Sequence, residues 1–228
     1  MTVAAYPLER ARDAFLAEYT LVDELAASLS DEQLLRPSRC LGWSVCDVLC
    51  HLDLGMVEIL VALASPTDRP ADTDFAAYWR DCCAPGEPDL GHARWIRLVA
   101  SAYARPGGVV RHLRLTTGAA LRQAPVAPAD RRLEFQGHVI EMGDFLATWV
   151  VEAAVHHLDL TLELPDAPPP LPASLGVTRE TLDALLGQPV PGNWDDATYA
   201  LKGTERLPLT AEEAGALGPL AKRFPLFG

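Results

Sequence analysis

Apolar side chains recur every three or four positions along four stretches of the chain, the periodicity of a helix with one buried face. In the first stretch, at 6–28, the periodic positions include Phe15, Tyr19, Val22 and Leu25. The other three stretches are 45–64, 95–123 with an interruption at Pro106, and 145–162. The pattern therefore predicts four main helices.

Polar residues and prolines mark where these helices begin and where the chain turns. Ser44, with Asp47 three residues on, is close to a capping box, and Asp144 is expected to cap the last main helix. Residues 74–82 are expected to form a short helix between two Pro-containing breaks, the second of them at 84–88. Because up-down bundles normally have short loops, connections of this length favour a bundle with crossover connections.

The composition changes at 164–172, a segment too rich in proline to be a helix or a central strand. Beyond it the pattern predicts a helix at 178–186, two short strands at 197–203 and 205–209, and a last helix capped by Thr210.

The expected domain division falls in this Pro-rich segment. Residues 1–164 are predicted to form a metal-binding four-helix bundle, and residues 165–228 a small C-terminal α/β appendage. A piece of about 60 residues is marginal as a free domain, so the appendage is expected to pack on the bundle. The predicted fold class is therefore mainly α.

Charge and composition argue against several kinds of partner and location. The formal charge is −12, from 31 acidic and 19 basic residues, and no basic run with interleaved aromatics is present. Neither nucleic acid nor a membrane is therefore an expected partner. No apolar run has the length of a membrane span and no secretory signal is visible, so the expected location is cytoplasmic. The five cysteines lack the spacing of a disulfide framework.

The last main helix carries a carboxylate and an imidazole on one face. Glu152 and His156 lie four residues apart among Val, Ala and Leu, and about 40° apart on a helical wheel. A buried ionised Glu is costly unless it is paired or holds a metal. His157 lies about 140° from Glu152 on the wheel and is expected to be a surface or interhelix residue.

A metal site needs a third ligand, and the second helix offers His51 among apolar neighbours. Two imidazoles and one carboxylate would leave one coordination position open, which is the pattern of a catalytic zinc site. Cys46 and Cys50 are a conceivable metal pair, but both point away from the His51 face. We therefore leave them out of the ligand set.

Several motifs resemble the mycothiol-dependent maleylpyruvate isomerase family, whose metal-binding domain belongs to the DinB-like helical-bundle superfamily. They are Gly42-Trp43-Ser44-Val45 leading to His51-Leu52, Glu152-x-x-x-His156 before Leu158-Asp159-Leu160, and a tail from Tyr199 to Thr210 that is similar to C-terminal segments of actinobacterial members. The resemblance implies a divalent metal, with zinc as the expected ion, held by His51, Glu152 and His156, with mycothiol as thiol cosubstrate. It also implies an isomerase or an S-transferase that acts on a small electrophile.

Two further residues are assigned to cosubstrate binding by the same resemblance. Trp149 stands where many members have Arg, and an indole cannot bind a carboxylate, so we expect an apolar or stacking wall there instead. Arg206 in the tail is a candidate anion contact, with a solvated surface Arg as the alternative. Asp159 is either a residue that orients a metal ligand or a charge at the helix end that faces solvent.

Two other functions remain open at this stage. A metal hydrolase would use the same open site to activate water. A binding or regulatory protein would keep the bundle and metal without chemistry, and would be favoured if no titratable group besides the ligands lines the pocket. Asp47, Asp53 and Glu58 are the candidate groups. Pairing of two chains into a homodimer also stays open.

Overall fold

Four long helices form the core of the protein, as the apolar periodicity predicts. The computed structural model describes residues 5–83 and 90–228. Its elements are α1 (Leu8–Ser28), α2 (Asp31–Leu34), α3 (Val45–Leu63), β1 (Pro66–Thr67), α4 (Ala77–Cys82), α5 (Leu90–Ser101), α6 (Gly107–Gln123), β2 (Arg132–Phe135), β3 (His138–Glu141), α7 (Met142–Leu160), α8 (Pro172–Leu186), α9 (Asp196–Gly203) and α10 (Ala211–Leu217). Short 3₁₀ turns follow α6 and α10.

The bundle is a ring of α1, α3, α6 and α7. Helix α1 packs along α7 and α3 along α6, while contacts of α1 with α6 and of α3 with α7 join the two pairs. Phe15, Tyr19, Met56 and Phe145 fill the interior and are almost wholly buried. Helix α7 is the most enclosed, because each of its residues except Glu152 is buried. The predicted mainly α fold with a four-helix bundle and long connections is confirmed.

The two predicted helix starts have different outcomes. The Ser44 hydroxyl accepts from the Asp47 amide while the Asp47 carboxylate accepts from the Ser44 amide, so this capping box is confirmed. The prediction for Asp144 is wrong, since Glu141 is the N-cap of α7. Because β3 runs directly into α7, Asp144 lies inside the first turn, where its carboxylate accepts from the Tyr6 amide at 2.8 Å.

A small antiparallel sheet leads the chain into α7. Strand β2 lies between β1 and β3, with Leu133 opposite Ile140. Gln136 and Gly137, which link β2 to β3, both have positive φ, as the tight turns that match strand twist require. Strands β2 and β3 therefore form a hairpin. The predicted helix at 74–82 corresponds to α4, and the predicted break at 84–88 lies outside the described residues.

The C-terminal region is helical where two strands were expected. Residues 197–203 lie in α9, whose first turn is capped by the Asp195 carboxylate accepting from the Thr198 amide. Residues 205–209 form a turn, because the amides of Arg206 and Leu207 both donate to the Leu201 carbonyl. The prediction of a C-terminal α/β appendage is therefore wrong in its β part. The short alternation of apolar residues at 197–203 belongs to a helix that Asp195 caps.

The C-terminal helices cover part of the bundle surface. Helix α8 packs on α7 and α1, and α9 packs on α8 and α7. The last helix, α10, begins with the predicted capping box of Thr210 and Glu213. The domain division at residues 164 and 165 stays a prediction. Within residues 5–83 and 90–228, no helix combines the length and apolar character needed to cross a bilayer.

Candidate metal centre

The three predicted ligands come from two neighbouring helices of the bundle. The capping box at Ser44 fixes the start of α3, and His51 follows on its second turn. Glu152 and His156 lie one turn apart on α7, so their side chains point the same way. Glu152 is the single residue of α7 that is partly exposed, with 19% of its side chain accessible. The carboxylate therefore sits where this helix opens to its surroundings.

The donor atoms of the three side chains converge. The Oε1 atom of Glu152 lies 2.7 Å from His51 Nε2 and 3.3 Å from His156 Nε2. The two imidazole centroids are 4.8 Å apart and nearly perpendicular. One donor atom from each residue lies within 4.8 Å of the other two. Ligands at zinc-bond distances in a tetrahedral site are roughly 3–4 Å apart, so this donor set fits a divalent ion.

Without an ion, the cluster behaves as a buried acid–base pair. Burial raises the pKa of Glu152, but the facing imidazoles of His156 and His51 outweigh that effect and hold the pKa well below its usual range. Burial lowers the pKa of His156, but Glu152 and a hydrogen bond to Asp159 raise it well above its usual range. These directions place the proton on the His156 imidazole and leave Glu152 ionised, and a cation at the centre would take the place of that proton.

Asp159 holds His156 from the opposite side of the ring. Its Oδ2 atom lies 2.9 Å from His156 Nδ1, and its side chain is fully buried. When Nδ1–H donates to this carboxylate, the Nε2 lone pair is left facing Glu152, as a metal ligand requires. Of the two alternatives for Asp159, the structure thus supports the orienting residue.

Arg206 reaches this region through Asp159. Its Nη2 and Nε atoms donate to the two carboxylate oxygens of Asp159 at 3.2 and 3.4 Å, and its Nη1 atom donates to the Thr204 carbonyl at 2.7 Å. The side chain is 17% exposed, so Arg206 is not a solvated surface residue. Its role toward a cosubstrate stays a prediction.

Cys40 and His92 also belong to the centre, although the sequence analysis did not single them out. The Cys40 thiol donates to Asp159 Oδ2 at 3.1 Å and lies 3.8 Å from His156 Nδ1. His92 Nε2 lies 3.4 Å from His51 Nδ1, so it can orient His51 as Asp159 orients His156. Cys40, His156 and Asp159 could also group around an ion. However, Asp159 already pairs with Arg206, so we regard this group as support for His156.

Trp149 lies in an aromatic layer beside the centre. Its ring packs on Phe135 and Phe145 at centroid distances of 5.6 and 6.3 Å, and it lies against Gly55, one turn beyond His51 on α3. A Cβ atom at Gly55 would come within 2.8 Å of the ring. Trp149 is 6% exposed, and its Nε1 atom has no hydrogen-bond partner among the described residues. Contact with a cosubstrate stays a prediction.

A cavity of about 530 Å³ lies beside the loop before α3; none of the three candidate ligands lines it, but Trp43 and Arg206, which contact residues of the centre, do. Trp43, whose ring is 5.5 Å from the His51 ring, lines this cavity together with Arg39, Leu41, Leu162 and Arg206. The cavity thus combines apolar walls with two guanidinium groups.

The remaining polar candidates have other roles. His157 is fully buried between α7 and α1, where its Nδ1 atom lies 2.6 Å from Glu18 Oε1, so it is an interhelix residue. Asp47 caps α3, Asp53 accepts from Thr116 at 2.7 Å, and Glu58 accepts from Gln136 at 2.7 Å. Cys46 and Cys50 belong to neither group of potential ligands among the described residues.

The chain matches a known protein family over most of its length and shares its fold with a solved structure. Residues 15–161 match the family model of the mycothiol maleylpyruvate isomerase N-terminal domain. The fold is similar to the crystal structure of a mutant of the mycothiol-dependent maleylpyruvate isomerase, with a TM-score of 0.54 and 11% sequence identity over 79% of this chain and 69% of that chain. At this identity the likeness concerns the fold alone. A comparison with the curated proteins finds no match.

Proposed function

Because the chain belongs to the mycothiol maleylpyruvate isomerase N-terminal domain family, we propose that it is a metal-dependent enzyme with a low-molecular-weight thiol, mycothiol, as nucleophile. Its substrate is a small electrophile, and the reaction is an isomerisation or an S-transfer. The observation that carries the proposal is the convergence of His51, Glu152 and His156 at the one partly exposed position of α7.

In this proposal His51, Glu152 and His156 hold the ion, which we take to be zinc. When bound, such an ion favours the thiolate form of a coordinated thiol at neutral pH. Two neutral imidazoles balance none of the ionic charge and Glu152 balances one unit, so the centre attracts an anionic ligand. Asp159 keeps His156 in the tautomer that can bind, and Arg206 offsets the charge of the buried Asp159.

Trp149 and Arg206 are the residues that we assign to cosubstrate binding. Arg206 lines the cavity beside the loop before α3 and can present guanidinium hydrogens to it. Trp149 offers an apolar ring next to the turn of α3 that follows His51. Because an indole is uncharged and donates at most one hydrogen bond, this wall favours an electrophile other than the dicarboxylate maleylpyruvate.

The ligand assignment is tested by metal analysis of the purified protein. We expect about one zinc-like ion per chain, and loss of that ion in His51→Ala and in Glu152→Ala, because each change removes one of three protein ligands. His138→Ala is the matched control, since His138 pairs with Asp72 on β3, away from the centre. Full metal occupancy in both ligand variants would contradict the assignment.

The reaction is tested by turnover of the metal-loaded protein with mycothiol. An activated cis-alkene reports isomerisation and monochlorobimane reports S-transfer, while p-nitrophenyl acetate without thiol reports hydrolysis. We expect turnover only when mycothiol is present. Hydrolysis that needs metal and no thiol would replace the proposal with a hydrolase, and absence of all three reactions would replace it with a binding protein.

A further inference from the structure

Two adjacent cysteines at the end of α4 place their thiols against each other. Cys82 is the last residue of the helix and is exposed, while Cys83 is its C-cap and is partly buried. Their Sγ atoms lie 2.6 Å apart, about half an ångström more than a disulfide bond. Neither residue belongs to the candidate metal centre. The pair is therefore a separate thiol cluster.

The backbone of Cys83 is held from two sides, by helix α4 and by the C-terminal residues of the chain. The Cys83 amide donates to the Trp79 carbonyl at 3.2 Å, and the Cys83 carbonyl accepts from the Gly228 amide at 3.1 Å. The Trp79 ring stacks on Phe227 at 4.5 Å, which strengthens the same junction. Cys83 is thus fixed, while the Cys82 thiol is open to small molecules.

The two thiols have different chemical characters. A hydrogen bond from Cys83 lowers the pKa of Cys82, while the same bond and burial raise the pKa of Cys83. Thiolate is the attacking form in thiol–disulfide exchange, so Cys82 is the nucleophile and Cys83 supplies the second thiol. In contrast, burial raises the pKa of both Cys46 and Cys50 to about 12, which keeps them as thiols.

We propose that Cys82 and Cys83 are a redox-active dithiol that reduces low-molecular-weight disulfides. The Cys82 thiolate attacks one sulfur of RS–SR, which forms Cys82–S–SR and releases RS⁻, and this leaving thiolate takes up a proton to become RSH. Once Cys82 carries SR, the thiolate whose hydrogen bond raised the pKa of Cys83 is gone. Cys83 then gives up its proton and attacks Cys82 Sγ, which forms the Cys82–Cys83 disulfide and expels RS⁻, and this thiolate takes up the proton to become the second RSH. Two electrons pass from the protein to RS–SR, and atoms and protons balance.

The product disulfide is easily reduced again. Consecutive Cα atoms are about 3.8 Å apart, less than the roughly 4.4–6.8 Å that unstrained disulfides span. A bond closed between neighbours therefore stores strain, so the pair is oxidised only where RS–SR is in large excess over RSH, and the disulfide returns to two thiols where RSH is in excess. The pair can cycle with the ratio of RSH to RS–SR around it.

The experiment uses the full-length, metal-loaded protein and a large excess of the uncharged probe 2,2′-dithiodiethanol, which drives formation of the strained disulfide. Acid-quenched samples are analysed by intact mass and by peptide mapping. For the wild type we expect loss of two hydrogen atoms, mapped to Cys82 and Cys83, with release of two thiols per chain. Cys83→Ser should instead accumulate one hydroxyethyl-thio group on Cys82, because the resolving thiol is absent.

Three outcomes separate this activity from chance thiol reactivity. Cys82→Ser should slow the reaction by at least about tenfold, since it removes the nucleophile. Cys46→Ser is the matched control and should react like the wild type. A rate unchanged in Cys82→Ser, a stable mixed disulfide in the wild type, or modification mapped to Cys40 would each overturn the proposal. None of these readouts needs the metal centre, so they are independent of the proposed function.

Discussion

Two neighbouring histidines on α7 each face a glutamate, on two faces of the helix about 100° apart and with opposite consequences. His157 and Glu18 are fully buried, and all their ring nitrogens and carboxylate oxygens are used: Glu18 also accepts from the Leu171 amide and His157 Nε2 contacts the Pro168 carbonyl. His156 and Glu152 are 9% and 19% exposed at the side chain, and a second imidazole points at the same carboxylate oxygen.

This difference shows what separates a ligand site from a structural ion pair. On the His157 side, each polar atom has one protein partner, so nothing is left for an ion. On the His156 side, three donor atoms face the same point. A cation that replaces a proton there would be stabilised by all three. Both pairs place an acid beside an imidazole in the protein interior. In the Glu152–His156 pair a third side chain, His51, also points at the carboxylate.

The largest effect is expected from breaking the buried Glu18–His157 pair. Glu18→Ala leaves the His157 ring and the Leu171 amide without their partner, so the free energy of unfolding should fall by about 3–5 kcal/mol. Bound metal per chain should not change. Chemical denaturation and metal analysis measure both, with Glu24→Ala on the exposed face of α1 as control. Loss of metal with unchanged stability would instead place Glu18 in the metal site and contradict its structural role.

The isosteric change on the other side should act on the metal instead. Glu152→Gln removes the anionic ligand, and we expect metal affinity to fall by more than about 100-fold, which is roughly 3 kcal/mol. The free energy of unfolding of the metal-free protein should fall by less than in Glu18→Ala. A competition titration with a chelator gives the affinity. An affinity within a few-fold of the wild type would remove Glu152 from the centre.

A third carboxylate of the same helix tests what the imidazoles do for Glu152. Asp144 faces no imidazole, and burial raises its pKa from 3.8 to about 6 despite the Tyr6 amide. The fold therefore holds this proton more tightly than the unfolded chain does. The resulting stabilisation is complete below pH 4 and is lost as the pH rises through 6.

We expect the free energy of unfolding of the wild type, relative to Asp144→Asn, to fall by roughly 2–3 kcal/mol between pH 4 and 7. Denaturation at a series of pH values measures the difference between the two proteins. A difference that rises over this range would show that the Tyr6 amide, and not burial, controls the carboxyl.

The smallest expected effect concerns the support of His156. Asp159→Asn keeps an acceptor for Nδ1–H but removes the charge that pairs with Arg206, so metal affinity or turnover should fall by about 10–100-fold. Asp166→Asn, on the exposed segment after α7, is the control. Equal metal affinity and turnover in the two variants would leave Asp159 without an orienting role.

The helices were predictable because each rests on local information. Periodic apolar positions such as Phe15, Tyr19 and Val22 give α1, and the capping pair Ser44 and Asp47 gives the start of α3. The family resemblance, which rests on short motifs near these helices, is also confirmed. In contrast, α9 is only eight residues long, so its apolar residues span two turns at most and do not distinguish a helix from a short strand.

The site was predictable only where one helix fixes it. Glu152 and His156 share a face by helix geometry alone, whereas His51 required the assumption that α3 and α7 pack together. Cys40 lies 116 residues from His156 along the chain, in a loop without periodicity, and His92 stands on an exposed helix face. Their contacts depend on tertiary packing, for which a single sequence carries no pattern.

The close contact between Gly55 and Trp149 limits how this chain can evolve. Any side chain at Gly55 meets the indole ring, so a mutation there is tolerated only after residue 149 has become smaller. A smaller residue at 149, in turn, leaves a gap beside the turn that follows His51, which a later change at Gly55 could fill. Substitutions at the two positions are therefore coupled. Trp149 has to change to a smaller residue before Gly55 can accept a side chain.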